Sequence, residues 1–176
     1  MSLLRFLGLG ERPAGRDAEP QSLVELGHEL NSLAPEQARF VAAFAYLLAR
    51  VAGADLRTDE AERAEITRRL EGFAGIDTAQ AEILAKSAVH IAEVQSASDD
   101  HLVARAFRDM TQPPEQIRLL RCLYAVAAAD EIISTREDND IFEIARAIGV
   151  ARTDVVALRS EFKQYLGTLK ALPTER

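Results

Sequence analysis

The sequence predicts an all-α protein that folds as a single compact bundle of about seven or eight helices. The chain contains 30 alanines against 9 glycines and 6 prolines, and alanine loses no side-chain entropy on entering a helix. Apolar residues recur at spacings of three and four, whereas no stretch alternates steadily with a period of two. With 176 residues and one cysteine, the chain can bury a core without disulfides or a structural metal.

Four helices are predicted in the first half of the chain, over residues 21–33, 35–54, 59–73 and 77–94. Pro35 ends the first helix and fits the first turn of the second, where its missing N–H costs nothing. Gly75 breaks the third helix. Asp77 or Thr78 is expected to cap the fourth helix through a side-chain oxygen.

Two further helices are predicted around the paired prolines of the second half. Ser98 is the expected cap of a helix that carries Phe107. Pro113 and Pro114 end that helix and begin the next. The helix that follows is the most apolar of all, because its segment 119–129 is polar only at two positions. We therefore expect this helix at the centre of the bundle.

The last two helices have clear signals at their ends. Ser134 and Glu137 have the spacing of a capping box, in which each side chain satisfies a backbone N–H of the other residue. Gly149 closes this helix, since glycine readily adopts the left-handed conformation of a helix end. Thr153 is expected to begin the final helix, with Val156 facing the core.

The ends of the chain differ in composition from its body. We divide it into an apolar tip and flexible linker (1–19), a helical domain (20–170) and a short tail (171–176). Residues 1–10 are apolar but too few to span a membrane. Two alternatives stay open for them: contact with a membrane surface or a partner, or a frayed or folded-back end.

The charge balance argues against nucleic acid as a partner. The net charge is −7, and the average field of such a protein repels phosphate backbones. Arg63, Arg68 and Arg69 stand at helical spacing near glutamates, which favours solvated helix faces with local ion pairs.

An internal duplication becomes visible when the chain is shifted by 75 positions against itself. Asp55 then aligns with Asp130, and Glu62 aligns with Glu137. In both copies an apolar helix ends in Ala-Asp, and a glutamate lies seven residues later in the first turn of the next helix. We infer two pseudo-repeats, about 36–92 and 113–166, that form two helix-turn-helix units related by a pseudo-twofold axis.

The duplicated segments resemble a known family. Ala54-Asp55 to Glu62 and Ala129-Asp130 to Glu137 look like the two Ala-Asp-Gly-x-Ile-Ser-x-x-Glu signatures of TerB-like tellurite-resistance proteins. The resemblance implies a compact helical bundle in the cytoplasm or at the inner face of the membrane. It also implies a part in stress and metal or oxyanion resistance, suspected metal binding by the paired acids, and no enzymatic activity.

The chain departs from these signatures at the turn. Leu56 and Glu131 stand where the family usually has glycine, and Thr58 stands where it has isoleucine. Any site that needs the turn of the first copy must therefore form without its glycine.

Two readings of the repeated acids remain open. Asp55, Glu62, Asp130 and Glu137 could supply oxygen ligands to a divalent cation, with Ca²⁺ or Mg²⁺ favoured over Zn²⁺. The scattered histidines and the single cysteine do not have zinc-site spacing. Alternatively, the same acids are only structural caps, because an Asp at a turn and a Glu in a first helical turn both bond to backbone N–H groups.

These observations predict a non-enzymatic module of a stress- or metal-resistance system that binds a protein partner through an acidic helical surface. A homodimer is also left open. The alternative is an enzyme or small-molecule carrier with its site in the seam between the two helix pairs, where Asp55 or Asp130 acts as acid or base. Cys122 lies on the most apolar helix and is expected to be a buried, inert thiol.

Overall fold

The described part of the chain is all-helical. The computed structural model describes residues 33–53, 60–94 and 100–167, together with Leu7, Leu30 and Asn31. Within these residues there are seven α-helices and one short 3₁₀ helix: α1 Pro35–Ala52, α2 Glu60–Ala74, α3 Thr78–Val94, α4 Asp100–Met110, α5 Pro113–Ala127, α6 Thr135–Ile148, α7 Arg152–Glu161 and the 3₁₀ helix Lys163–Tyr165. None of the described helices is long and apolar enough to cross a membrane.

Helix α1 occupies the centre of the bundle. It packs against α2, α3, α4, α5 and α6, and every residue from Val41 to Ala49 is buried. The apolar sequence of α5 predicted this helix at the centre, and that prediction is wrong. Four alanines among the nine residues 41–49 let neighbouring helices approach α1 from several directions, whereas α5 keeps the exposed Arg118 and Arg121 on its outer side.

Four phenylalanines join three helices on one side of α1. Phe40 and Phe44 of α1 stack with Phe73 of α2, with ring centroids 5.4 Å and 4.5 Å apart. Phe107 of α4 lies 5.5 Å from the ring of Phe40. Stacked aromatic pairs at these distances stabilise a core beyond their buried area, so this cluster fixes how α1, α2 and α4 pack.

The connection between α5 and α6 is hydrogen-bonded to the segment that follows α7. The backbone N–H of Ile133 donates to the carbonyl oxygen of Tyr165 at 2.6 Å. The N–H of Gly167 donates to the carbonyl oxygen of Ile133 at 2.9 Å. Because both backbone groups of Ile133 are bonded, the loop that carries Asp130 is fixed at its far end.

The ends of the described helices agree with the sequence signals, apart from the last helix. Gly149 has a φ of 85° and ends α6 in the left-handed conformation, as predicted. Helix α7 begins at Arg152, and Val156 is 50% exposed while its neighbour Val155 is buried. The predicted start at Thr153 and the inward position of Val156 are therefore wrong. A ten-residue helix packed on two neighbours has too little periodicity to fix which of two adjacent valines points inward.

Several predictions lie outside the described residues. They are the first helix apart from its last residues, the linker, the tail, the Ser98 cap and the acidic residue Asp55. Leu7 of the apolar tip is described and is buried against the core. The pseudo-twofold axis stays a prediction.

Candidate functional site

The second copy of the repeated acids forms a tight turn after α5. Asp130 accepts a hydrogen bond from the backbone N–H of Ile132, with Oδ1 and N 2.9 Å apart. Between them, Glu131 has a φ of 72°, and its N–H donates to the carbonyl oxygen of Ala128 at 3.0 Å. An Asp carboxylate that bonds two residues ahead replaces a backbone interaction of the turn.

Glu137 caps the beginning of α6. Its Oε2 accepts from the backbone N–H of Ser134 at 2.7 Å, and the Ser134 hydroxyl accepts from the N–H of Glu137 at 3.1 Å. This is the predicted capping box. Glu137 is buried, which a carboxylate tolerates when it is hydrogen-bonded.

The four predicted acids cannot be placed together in one site. Glu62 is buried near the beginning of α2, at the position that matches Glu137 in the duplication, whereas Asp55 lies outside the described residues. In the described ranges no three His, Cys, Asp or Glu side chains form a group that could hold a metal ion. Cation binding by the repeated acids therefore stays a prediction, and the bonds of Asp130 and Glu137 are those of caps.

The turn also presents an apolar side chain to solvent. Ile132 is 49% exposed, and Asp130 and Glu131 beside it are exposed as well. We call these three residues the acidic turn. Backbone hydrogen bonds at Ala128, Ile132 and Ile133 stabilise the turn.

A cleft of about 490 Å³ lies between α4 and α6, with Arg50 of α1 at one side. Arg50 pairs with Asp100, with Nη2 and Oδ2 2.9 Å apart, and Tyr46 donates to Oδ1 of Asp100 at 2.6 Å. This cleft borders the seam that the alternative function requires, because Arg50 belongs to the first helix pair and α6 to the second, whereas α4 belongs to neither pseudo-repeat. Asp130 is not among its lining residues.

Asp140 lines this cleft, and its pKa is raised above the ordinary value. Partial burial raises its pKa, and the nearby carboxylates of Asp100 and Glu143 raise it further. Arg50 and Arg136 act in the opposite direction. A carboxylic acid with a raised pKa in a cleft is a candidate for proton transfer. Asp140 was not predicted as a site residue, because nothing in the sequence places α4 beside α6.

A second polar network joins three helices without lining this cleft. Tyr124 of α5 donates to Oδ1 of Asp138 at 3.1 Å. Arg159 of α7 donates from Nε to the same carboxylate, at 2.9 Å and 2.8 Å from its two oxygens. Burial raises the pKa of Tyr124, and Asp138 raises it further. These bonds satisfy polar groups where α5, α6 and α7 meet, which is a structural role.

Comparison with known proteins identifies one family. The family model described as tellurite resistance protein TerB matches residues 41–160, which include α2 to α6 entire, most of α1 and all but the end of α7. No curated protein matches the chain. No solved structure matches it either.

Proposed function

Because the chain belongs to the family of tellurite resistance protein TerB, we propose that it is a non-enzymatic module of tellurite resistance that acts in the cytoplasm by binding a protein partner. The observation that carries this proposal is the acidic turn. It combines an exposed apolar side chain with two exposed acidic residues on a hydrogen-bonded backbone.

The composition of the acidic turn defines the chemistry of the partner. Ile132 offers apolar area for burial, and burial of an isoleucine side chain contributes about 1.5–3 kcal/mol when complete. Asp130 and Glu131 add negative charge to a protein whose net charge is already −7. Such a surface attracts a segment that is both basic and apolar, and it repels acidic ones.

A survival assay tests this interaction. Genes that encode the wild type or a variant replace the native gene in the source organism, and growth of each strain is measured on tellurite. Ile132→Ser and Glu131→Lys should each reduce survival, because they remove the apolar contact or reverse the charge. Val156→Ser is the matched control, since Val156 lies on α7, outside the acidic turn, and is exposed to the same extent as Ile132. Wild-type survival of both turn variants, with wild-type melting temperatures, would contradict the proposal.

The proposal also includes a divalent cation bound by the repeated acids. Ca²⁺ or Mg²⁺ would bind carboxylate oxygens of Asp130 and its counterpart Asp55 and so tune the turn. A ligand of the folded state raises the melting temperature by mass action. Each ion should therefore be compared with a chelator for the wild type and for Asp130→Ala. An equal loss of stability with and without chelator would assign Asp130 to the turn alone.

The cleft between α4 and α6 supports a second candidate, a carrier or enzyme with its site in the seam. Its volume of about 490 Å³ is within the range of small-molecule sites, and Asp140 supplies an acid with a raised pKa. Asp140→Asn separates the candidates in the survival assay. Full survival favours the interaction module, whereas loss of survival by a folded variant favours chemistry or transport in the cleft.

A further inference from the structure

Four arginines line a groove between α2 and α5. Arg68 and Arg69 come from α2, and Arg118 and Arg121 come from α5. The groove has a volume of about 500 Å³ and also includes Glu65, Gly72, Phe73 and Cys122. Such a concentration of positive charge is unexpected in a protein with a net charge of −7.

Part of this charge is already neutralised. Glu65 is buried and pairs with both arginines of α2; its Oε2 is 2.6 Å from Nη2 of Arg68, and Arg69 donates from Nε to Oε1 at 2.6 Å. Arg121 donates to both carboxylate oxygens of Glu161, at 3.3 Å and 3.1 Å. Both members of that pair are half-exposed, so water screens the interaction.

Arg118 differs from the other three. In the described part of the chain no carboxylate lies within ion-pair distance of its guanidinium, which instead donates from Nη2 to the carbonyl oxygen of Gly72 at 3.1 Å. Its Cζ lies 4.3 Å from the centre of the Phe73 ring. These two contacts hold the guanidinium in place. An arginine has five N–H donors, so Arg118 keeps donors for a further ligand.

The thiol at the base of the groove does not cancel this charge. Cys122 is buried, as the sequence analysis expected. Burial raises the pKa of its thiol although Arg69 and Arg118 act to lower it. The thiol is therefore neutral at physiological pH, and among the described residues Glu65 is the only carboxylate that lines the groove. Even with Glu65 paired to the arginines of α2 and Glu161 paired to Arg121, the four guanidinium groups leave an excess of positive charge.

We propose that this groove binds an oxyanion, either free or as the phosphate group of a small molecule. The planar guanidinium fork matches oxyanion geometry, and hydrogen bonds between two charged groups are about twice as strong as neutral ones. Arg118 is the central ligand, because Gly72 and Phe73 hold its guanidinium in place and it has no carboxylate partner in the described ranges. Arg68 and Arg121 flank it from the two helices.

Gly72 offers a second way to test the groove. A Cβ added at this position meets no atom within 4 Å among the described residues, so a larger residue can be introduced without a clash at its Cβ. Gly72→Glu would place a carboxylate beside Arg118, where it competes with any bound anion. Unlike Arg118→Gln, this variant keeps every arginine and its contacts.

Isothermal titration at low salt provides the measurement, with inorganic phosphate, tellurite and adenosine 5′-monophosphate as probes. We expect at least one probe to bind the wild type. Arg118→Gln should weaken that binding by about tenfold or more, because it removes a hydrogen bond between two charged groups. Gly72→Glu should weaken it as well. Binding should also fall as salt is added.

The matched control is Arg152→Gln, which removes an exposed arginine of α7 outside the groove. Its affinity should equal that of the wild type, and thermal unfolding confirms that all variants fold. Similar affinities for phosphate and the nucleotide assign the groove to a free oxyanion, whereas binding of the nucleotide alone assigns it to a phosphorylated small molecule. Absence of binding for all three probes, or an equal loss in Arg152→Gln, overturns the proposal.

Discussion

Replacing Glu131 by glycine should stabilise the protein. Glu131 has a φ of 72° and is the only described residue other than glycine with a positive φ. In this region the Cβ of an L-residue crowds the following carbonyl oxygen, and glycine has no Cβ. The family signature that this turn resembles has glycine here, so the variant restores the residue that suits the backbone.

The magnitude follows from two opposing terms. The left-handed conformation costs a residue with a Cβ about 1–2 kcal/mol. Glycine removes that cost but makes the unfolded chain more flexible, which lowers stability by about 0.4–1 kcal/mol. The difference between these terms spans about 0–1.6 kcal/mol, and their midpoints give a net gain of about 0.8 kcal/mol. The neighbouring bonds remain, because the N–H of residue 131 still donates to Ala128 and Asp130 still accepts from Ile132.

Urea unfolding of the wild type and three variants of Glu131 measures this gain. Glu131→Gly should have the highest midpoint, with Glu131→Asn between it and the wild type, since asparagine tolerates the left-handed region. Glu131→Gln removes the charge but keeps the Cβ, so it should not show the gain in stability that Glu131→Gly shows. If Glu131→Gln gains as much as Glu131→Gly, the effect is electrostatic and the backbone argument fails.

Four other substitutions test the contacts described above. Ser134→Ala should cost about 1 kcal/mol in urea unfolding, because it removes the cap of α6; no loss would mean that solvent replaces the cap. Ser87→Ala should raise the melting temperature, since the buried Ser87 hydroxyl has no hydrogen-bond partner in the described part of the chain. Tyr124→Phe should lower the melting temperature at neutral pH, because it removes the hydrogen bond to Asp138. Above about pH 10 the variant should lose less stability than the wild type. The raised pKa of Tyr124 stabilises the wild type below the unfolded pKa of about 10, and this contribution falls by about 1.4 kcal/mol per pH unit above it. Asp140→Asn should stabilise the protein more at pH 7 than at pH 3.5. The pKa of Asp140 is raised in the folded state, so its ionisation destabilises the folded wild type as the pH rises above the unfolded pKa, whereas asparagine does not ionise. A constant difference between Asp140→Asn and the wild type across this range would contradict the assigned shift.

The helices could be predicted because their signals are local. Pro35, Pro113 and Gly149 mark helix ends through fixed or permissive backbone angles, and these angles do not depend on the rest of the fold. The capping box of Ser134 and Glu137 was predicted for the same reason, since both partners lie within one helical turn.

The clefts could not be predicted because they depend on how distant helices pack. Asp140 faces Asp100, 40 residues away in the sequence, and Arg118 donates to Gly72, 46 residues away. No spacing rule joins such pairs. Helical spacing did predict that Arg68 and Arg69 pair with a nearby glutamate. It gave no sign that α5 adds two more arginines opposite them.

The acidic turn and the arginine groove can act independently although both involve α5. From Arg118 to the end of this helix at Ala127 is about 14 Å along the helix axis, at 1.5 Å per residue. The Debye length at physiological salt is about 8 Å, so the charges of Asp130 and Glu131 are largely screened at Arg118. Effects of variants at such a separation normally add. A Glu131 variant that lowers tellurite survival therefore leaves anion affinity unchanged, and the failure of either proposal does not affect the other.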